Sequence, residues 1–126
     1  QAFPIPQPLE NLGFDSLGQV RDSLDALTQA NVHRAHAVMA TEKRVDRQYR
    51  AVLKQLKKEI VAHPERINTW LRLINTARNL ERIADHASKI AEAVIYLKEG
   101  EILRHRRGHE DRQPDEAGQP QPGLTP

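Results

Sequence analysis

Acidic residues recur at a four-residue spacing in two separate parts of the sequence. Glu42 and Asp46 form one Glu-x-x-x-Asp pair, and Glu81 and Asp85 form the other. A four-residue step on an α-helix returns to nearly the same face, so each pair would set two carboxylates one turn apart and pointing together. Like charges at this spacing repel by roughly a few tenths of a kcal/mol. We therefore predict that Glu42, Asp46, Glu81 and Asp85 bind a cation.

The type of ligand limits the metal that such a site would hold. The sequence has no cysteine, which excludes thiolate zinc sites, iron–sulfur clusters, disulfides and cysteine nucleophiles. Carboxylate oxygens suit hard cations such as Mg²⁺, Ca²⁺ and Mn²⁺, and they also bind iron. A second interpretation stays open, since the spacing also arises by chance on a solvated helix face, where basic neighbours form ordinary surface pairs. Those neighbours are Arg44, Arg47, Arg78 and Arg82.

Basic residues form a second candidate surface on the same segment as the first acidic pair. At 100° per residue they fall on one arc of a helix, roughly opposite its apolar residues, and they could meet an acidic partner, phosphate or anionic lipid headgroups. The alternative is a solvated face with Glu59 as a local counter-charge. No aromatic residue alternates with the cations and the net charge is only +2, so nucleic-acid binding is disfavoured. The arc contains Lys43, Arg47, Arg50, Lys54, Lys57 and Lys58.

Prolines and glycines concentrate at the two ends of the sequence and leave a body that favours helix. Pro64 is the one proline between Pro8 and Pro114, and no glycine lies between Gly18 and Gly100. Aromatic residues are only 4% of the chain, which makes an all-β fold improbable. A chain of 126 residues is also too short for a (β/α)₈ barrel, which needs about 250.

Three apolar repeats at helical spacing predict three helices. The first runs from Asp15, as N-cap, to Ala30, and Asn31 is the expected break before the second. The second ends at His63, because the residue before a proline disfavours the α region. The third runs from Glu65 to Glu99 with Gly100 just after it. The expected inward-facing residues are Leu17, Val20, Leu24 and Leu27; then Val38, Val45, Tyr49, Val52, Leu56 and Ile60; then Leu73, Ala77, Leu80, Ala84, Ala87, Ala91 and Val94.

These elements predict an all-α, antiparallel up-down-up three-helix bundle. We divide the chain into an extended, Pro-rich linker over residues 1–13, a bundle over residues 14–104 and a disordered tail over residues 105–126. No stretch approaches the roughly 18 apolar residues of a membrane span, and no secretory leader is evident. We expect the chain to be cytoplasmic, with at most peripheral membrane association.

The third segment closely resembles the signature of the PhoU family of bacterial phosphate-transport regulators. The resemblance lies in Ala77–Glu92 (ARNLERIADHASKIAE) and in Glu42–Tyr49 (EKRVDRQY), with the His63–Pro64 turn where that family has its second loop. It covers about residues 9–105. PhoU proteins are built from two tandem three-helix repeats, and this chain resembles the second repeat, with Ala2–Leu12 similar to the linker between repeats.

The resemblance implies a function and a site. The family's metal-cluster motifs match Glu42 with Asp46 and Glu81 with Asp85, and the metal would be iron, zinc, manganese, magnesium or calcium. The family is not enzymatic: it represses the phosphate-starvation response by connecting the ATPase of the Pst phosphate transporter to a membrane sensor histidine kinase. We expect docking through Lys43, Arg47, Arg50, Lys54, Arg78 and Arg82. With one repeat only, we also expect the chain to form a homodimer.

Two other functions stay open at this point. One is an accessory domain of a sodium-phosphate cotransporter, since some of these carry PhoU-like tails. The other is a metal-dependent enzyme with a carboxylate cluster, which would need an open coordination position and a nucleophile or substrate pocket that the sequence does not mark.

Overall fold

The fold is a bundle of three α-helices, each in contact with the other two. The computed structural model describes the backbone of residues 5–116 and the side chains of residues 5–108. Helix α1 spans Gln7–Gln29, α2 spans Val32–Ala62 and α3 spans Ile67–Glu116, with a short 3₁₀ turn over Pro64–Arg66. Residues 5–116 contain no strand, which confirms the predicted all-α, up-down-up architecture. No helix within this range is long and apolar enough to cross a membrane.

The two turns of the bundle lie where the sequence predicts them. Ala30 ends α1 in the left-handed conformation, with φ of 51°, and Asn31 then caps α2 by accepting a hydrogen bond of 3.0 Å from the backbone N–H of Arg34. The residue that adopts the left-handed conformation is thus Ala30 and not Asn31, whose side chain is needed as the cap. At the other end of α2, the indole N–H of Trp70 donates to the carbonyl of His63 at 2.9 Å and ties α3 to the turn.

Two predicted helix ends are wrong because breakers were given too much weight. Helix α1 already begins at Gln7, with Pro8 in its first turn, where proline costs no hydrogen bond. Asp15 therefore lies inside α1 and is not its N-cap, and the segment predicted to be extended is helical from Gln7 onward. Residues 1–4 of that segment lie outside the described residues.

Helix α3 continues past its predicted end at Glu99. Gly100 lies within the helix, and residues 101–107 include good helix formers that offset the roughly 1 kcal/mol cost of one glycine. The helix extends to Glu116, so it enters the segment predicted to be disordered, whose residues 117–126 lie outside the described part of the chain.

The predicted inward faces of α2 and α3 are confirmed. Val38, Val45, Val52 and Leu56 of α2 are buried, while Tyr49 and Ile60 pack partly buried against them. On α3, Leu73 and Leu80 are half-buried beside a row of small side chains that lets the helices approach closely. The buried residues of that row are Ala77, Ala84, Ala87, Ala91 and Val94.

The inward face of α1 differs from the prediction. Leu17, Leu24 and Leu27 are 63%, 46% and 47% exposed, and Val20 is only half-buried. The helix buries a row of mainly small or polar residues about a quarter turn away from this stripe. That row is Leu9, Leu12, Ser16, Gln19, Ser23 and Ala26.

Buried polar residues divide the core into two apolar clusters. One cluster is built around Leu12, Leu56 and Trp70, and the other around Ala26, Val38 and Ala91. The buried polar side chains among the described residues are Ser16, Gln19, Ser23 and Ser88. The functional site described below opens at the level of Gln19 and Ser88.

The orientation of α1 predicts which leucines carry stability. Replacing Leu12, which is fully buried, with alanine should lower the free energy of unfolding by about 2–5 kcal/mol, because it removes apolar contacts and leaves a cavity. The matched control is Leu71→Ala, at a position 52% exposed, which should cost about 0.5 kcal/mol or less. Urea unfolding followed by circular dichroism measures both, and equal losses would contradict the described orientation of α1.

Candidate functional site

The four acidic residues singled out in the sequence line a single pocket between α2 and α3. Glu42 and Asp46 reach it from α2, and Glu81 and Asp85 reach it from α3. The pocket has a volume of about 270 Å³ and is open to solvent. The acidic pairs meet here because the buried residues Val45 and Ala84, each next to a pair in sequence, hold the two helices together at this level. The remaining lining residues are Gln19, Lys43 and Ser88.

The aspartates and the glutamates of the pocket differ in their partners. Asp46 is paired with Arg50 and Asp85 with Lys89, at 3.6 Å in the second case, each one turn further along the same helix. Glu42 and Glu81 form no ion pair with any residue in the range 5–108. The arginines proposed as neutralising neighbours do not all serve that purpose, since Arg44 pairs instead with Asp15 of α1 at 3.3 Å. Two carboxylates of the pocket thus keep their charges without a basic partner.

The inner wall of the pocket is formed by two buried polar residues that the sequence analysis missed. Gln19 of α1 is 3% exposed and donates from Nε2 to the carbonyl oxygen of Val38 at 2.8 Å. Ser88 of α3 is 4% exposed, and its Oγ has no hydrogen-bond partner in the described part of the chain. A buried hydroxyl without a partner is uncommon and calls for an explanation. The signal in the sequence was the spacing of Ser16, Gln19 and Ser23, a polar stripe at helical spacing opposite no obvious partner.

The donor atoms around the pocket are chemically suited to a hard cation. Carboxylate, amide and hydroxyl oxygens are the ligands that Ca²⁺ and Mg²⁺ prefer, and Mn²⁺ accepts them as well. In residues 5–108, however, no group of three or more His, Asp and Glu side chains is arranged as a metal-ion site. Closing the four carboxylates on an ion therefore requires the aspartates to leave Arg50 and Lys89. The metal site stays a prediction, with Glu42, Asp46, Glu81 and Asp85 as its acidic ligands.

The basic residues of α2 follow one exposed stripe that starts at the rim of the acidic pocket. Lys43 lines the pocket, whereas Arg47, Lys54 and the following lysines face solvent. Arg50 lies on the same stripe and is tied to Asp46. On α3, Arg78 and Arg82 are exposed on either side of Glu81 in sequence. The surface around the site therefore combines an acidic pocket with a cationic border.

Comparison with known proteins agrees with the motifs that line the pocket. The model of the PhoU domain matches residues 9–94, a range that contains both acidic pairs and most of the three helices. No solved structure matches the chain significantly.

Similar proteins are phosphate-specific transport system accessory proteins. A PhoU homolog from Caulobacter vibrioides is 35% identical over 103 residues, which are 82% of this chain and 45% of that protein. A PhoU homolog from Pseudomonas putida is 37% identical over 97 residues, 77% of this chain and 38% of that protein. PhoU of Escherichia coli is 30% identical over 110 residues, 87% of this chain and 46% of that protein.

The chain thus spans about half the length of the curated relatives it matches. Over most of its own length it shares their sequence and carries both acidic motifs on the helices that the fold brings together. The chain belongs to the PhoU family.

Proposed function

We propose that this chain is a non-enzymatic regulator of phosphate transport that acts by docking to other proteins. The observation that carries the proposal is the match to the PhoU domain over the residues that build the acidic pocket and its cationic border. Its relatives are accessory proteins of the phosphate-specific transport system. The partners in this proposal are the transporter ATPase and a sensor histidine kinase, which the chain would hold in the off state when phosphate is plentiful.

The cationic stripe is the surface that we assign to docking. Lys43, Arg47 and Lys54 lie on one side of α2 within about 17 Å along the helix, since the rise is 1.5 Å per residue. Exposed charges of one sign on a rigid helix speed association with a surface of opposite charge and select for it. Arg78 and Arg82 extend the positive surface onto α3. A kinase or ATPase surface rich in Asp and Glu would be complementary to it.

We assign cation binding to the acidic pocket, as a structural or modulatory part of this function. A bound hard cation would supply positive charge between α2 and α3 and relieve the repulsion between Glu42 and Glu81. Both glutamates are without an ion pair in the described structure, and Ser88 offers a buried hydroxyl oxygen beside them. The same cation would change the charge of the surface next to Lys43, so metal loading would alter how the cationic stripe is presented to a partner.

A location in the cytoplasm and self-association as a homodimer belong to the same proposal, as does the absence of catalysis. The two alternatives, a domain of a sodium-phosphate cotransporter and an enzyme with a carboxylate cluster, make different predictions. The enzyme would bind a phosphate compound at the loaded pocket and turn it over. No structural feature found so far favours that alternative.

Reversing the charge of the cationic stripe should abolish docking. We expect the triple variant Lys43→Glu, Arg47→Glu and Lys54→Glu to bind a purified transporter ATPase subunit or kinase cytoplasmic region at least tenfold more weakly, because attraction becomes repulsion. The control makes the same charge change elsewhere on exposed sites, with Arg72→Glu, Arg104→Glu and Arg107→Glu. Surface plasmon resonance at two salt concentrations measures both. Equal weakening by the two triples would contradict the assignment of the surface, and the absence of any binding by the unmodified chain would contradict docking itself.

The buried serines allow a matched test of the cation site. Ser88 and Ser16 are both buried with an unpartnered Oγ, but only Ser88 lines the acidic pocket. Neither Ser→Ala change should lower the stability of the metal-free protein by more than about 0.5 kcal/mol, since no hydrogen bond is lost.

Only Ser88→Ala should weaken the binding of Mn²⁺ or Ca²⁺, by about threefold or more. The double variant Glu81→Ala and Asp85→Ala should lose the metal and keep its helical content, because it buries little apolar surface. Isothermal titration with each ion and circular dichroism provide the readouts. Unchanged metal content in the double variant would contradict the assignment of the acidic pocket.

A further inference from the structure

Large aliphatic side chains remain exposed along the seam between α1 and α3, on a different side of the bundle from the acidic pocket. We call this surface the apolar face. Phe14 extends it at one edge and is 75% exposed. The residues that define the face are Leu17, Leu24 and Leu27 of α1 with Ile83, Ile90 and Leu97 of α3.

Contacts at both ends of the seam show that these residues belong to one surface. At one end, the position of a Cβ on Gly13 would lie 3.8 Å from Leu80 Cδ1. At the other end, Leu27 and Leu97 line the same cavity of about 220 Å³. Helices α1 and α3 are therefore antiparallel neighbours along this length, and the residues between these contacts lie side by side.

The spacing within each row is the spacing that helices use to pack on other helices. Leu17 and Leu24 are seven residues apart, as are Ile83 and Ile90, and Ile90 and Leu97. A seven-residue apolar repeat stays on one side of a helix and packs against a further helix at a shallow angle. The face is about 20 Å long and two helices wide, on the order of 400 Å², which is large for an exposed apolar patch on a monomer.

The border of the face carries little charge. On α1, Arg21 is the charged residue nearest its centre, and it already pairs with Asp22 at 3.8 Å. Gly18 and Ala93 lie beside the rows at helical spacing and would let another backbone approach closely. A strongly acidic or basic partner would find no complementary charge here.

We propose that the apolar face is occupied by the same face of a second copy of this chain. An identical copy presents the same two antiparallel rows, so a two-fold axis pairs them as a closed four-helix contact and leaves no apolar row exposed. The chain's own remaining segment does not suit the role, since residues 109–126 contain a single large aliphatic, Leu124. This inference deepens the homodimer of the proposed function by naming its surface. The acidic pocket and the cationic stripe stay accessible in such a dimer.

The test is sedimentation equilibrium of the full chain between 1 and 200 µM, in its unmodified form and as variants. These concentrations are set by the experiment and span the roughly micromolar affinity of a small interface. We expect the unmodified chain to dimerise, and the variants Leu24→Glu and Ile83→Glu to weaken dimerisation at least tenfold while keeping their helical content. The matched controls are Leu71→Glu and Leu103→Glu, which place the same charge on exposed leucines outside the face.

The outcomes separate this inference from the proposed function. Dimers that survive both Leu24→Glu and Ile83→Glu would overturn the apolar face as the interface and leave self-association standing. A chain that stays monomeric at 200 µM would overturn both, but docking to the ATPase or kinase is measured independently. If Leu24→Glu unfolds the chain, Leu17→Ser, at a position 63% exposed, gives the same test with a smaller change.

Discussion

The hydrogen bond from Gln19 Nε2 to the carbonyl oxygen of Val38, 2.8 Å long and buried, fixes which side of α1 meets the rest of the bundle. A buried amide that lost this partner would cost about 1–3 kcal/mol, so a rotation of α1 that moved Gln19 into the apolar clusters is strongly disfavoured. Ser16 and Ser23 lie one turn to either side and are small enough to let α1 pack closely against α2 and α3. Together they set the rotation of α1 about its axis.

That rotation has two consequences on different sides of the molecule. It brings Gln19 to the inner wall of the acidic pocket, next to Ser88, and completes a site that would otherwise be made by α2 and α3 alone. It also turns Leu17 and Leu24 outward, where they join the aliphatic row of α3. The cation site, the cationic stripe and the apolar face therefore do not compete for space, and one chain can bind a cation, a partner and a second copy at the same time.

The sequence was sufficient for α2, α3 and the meeting of the acidic pairs, but not for α1. In α2 the largest apolar residues, such as Val45 and Leu56, are also the buried ones, so the periodicity identifies the inner face. In α1 the stripe of Leu17, Val20, Leu24 and Leu27 is more hydrophobic than the buried stripe of serines, and a rule that buries the most apolar residues selects the wrong side. Pro8 and Gly100 misled the helix ends for a related reason: their cost depends on position, and an N-terminal proline or a single glycine in a long helix is tolerated. Ser88 carried no local signal, because its role depends on what α1 and α2 place beside it.

The rotation of α1 is best tested by solution NMR on isotope-labelled chain, with filtered experiments that separate contacts within one copy from contacts between copies. We expect the side-chain amide protons of Gln19 to show nuclear Overhauser effects to Val38 of the same chain, and the methyl groups of Leu17 and Leu24 to show none to Val38 or Ala91 of that chain. Strong contacts from the Leu17 and Leu24 methyl groups to Val38 or Ala91 within one copy would show that the hydrophobic stripe faces the core. The inner wall of the acidic pocket and the apolar face would then both be wrong.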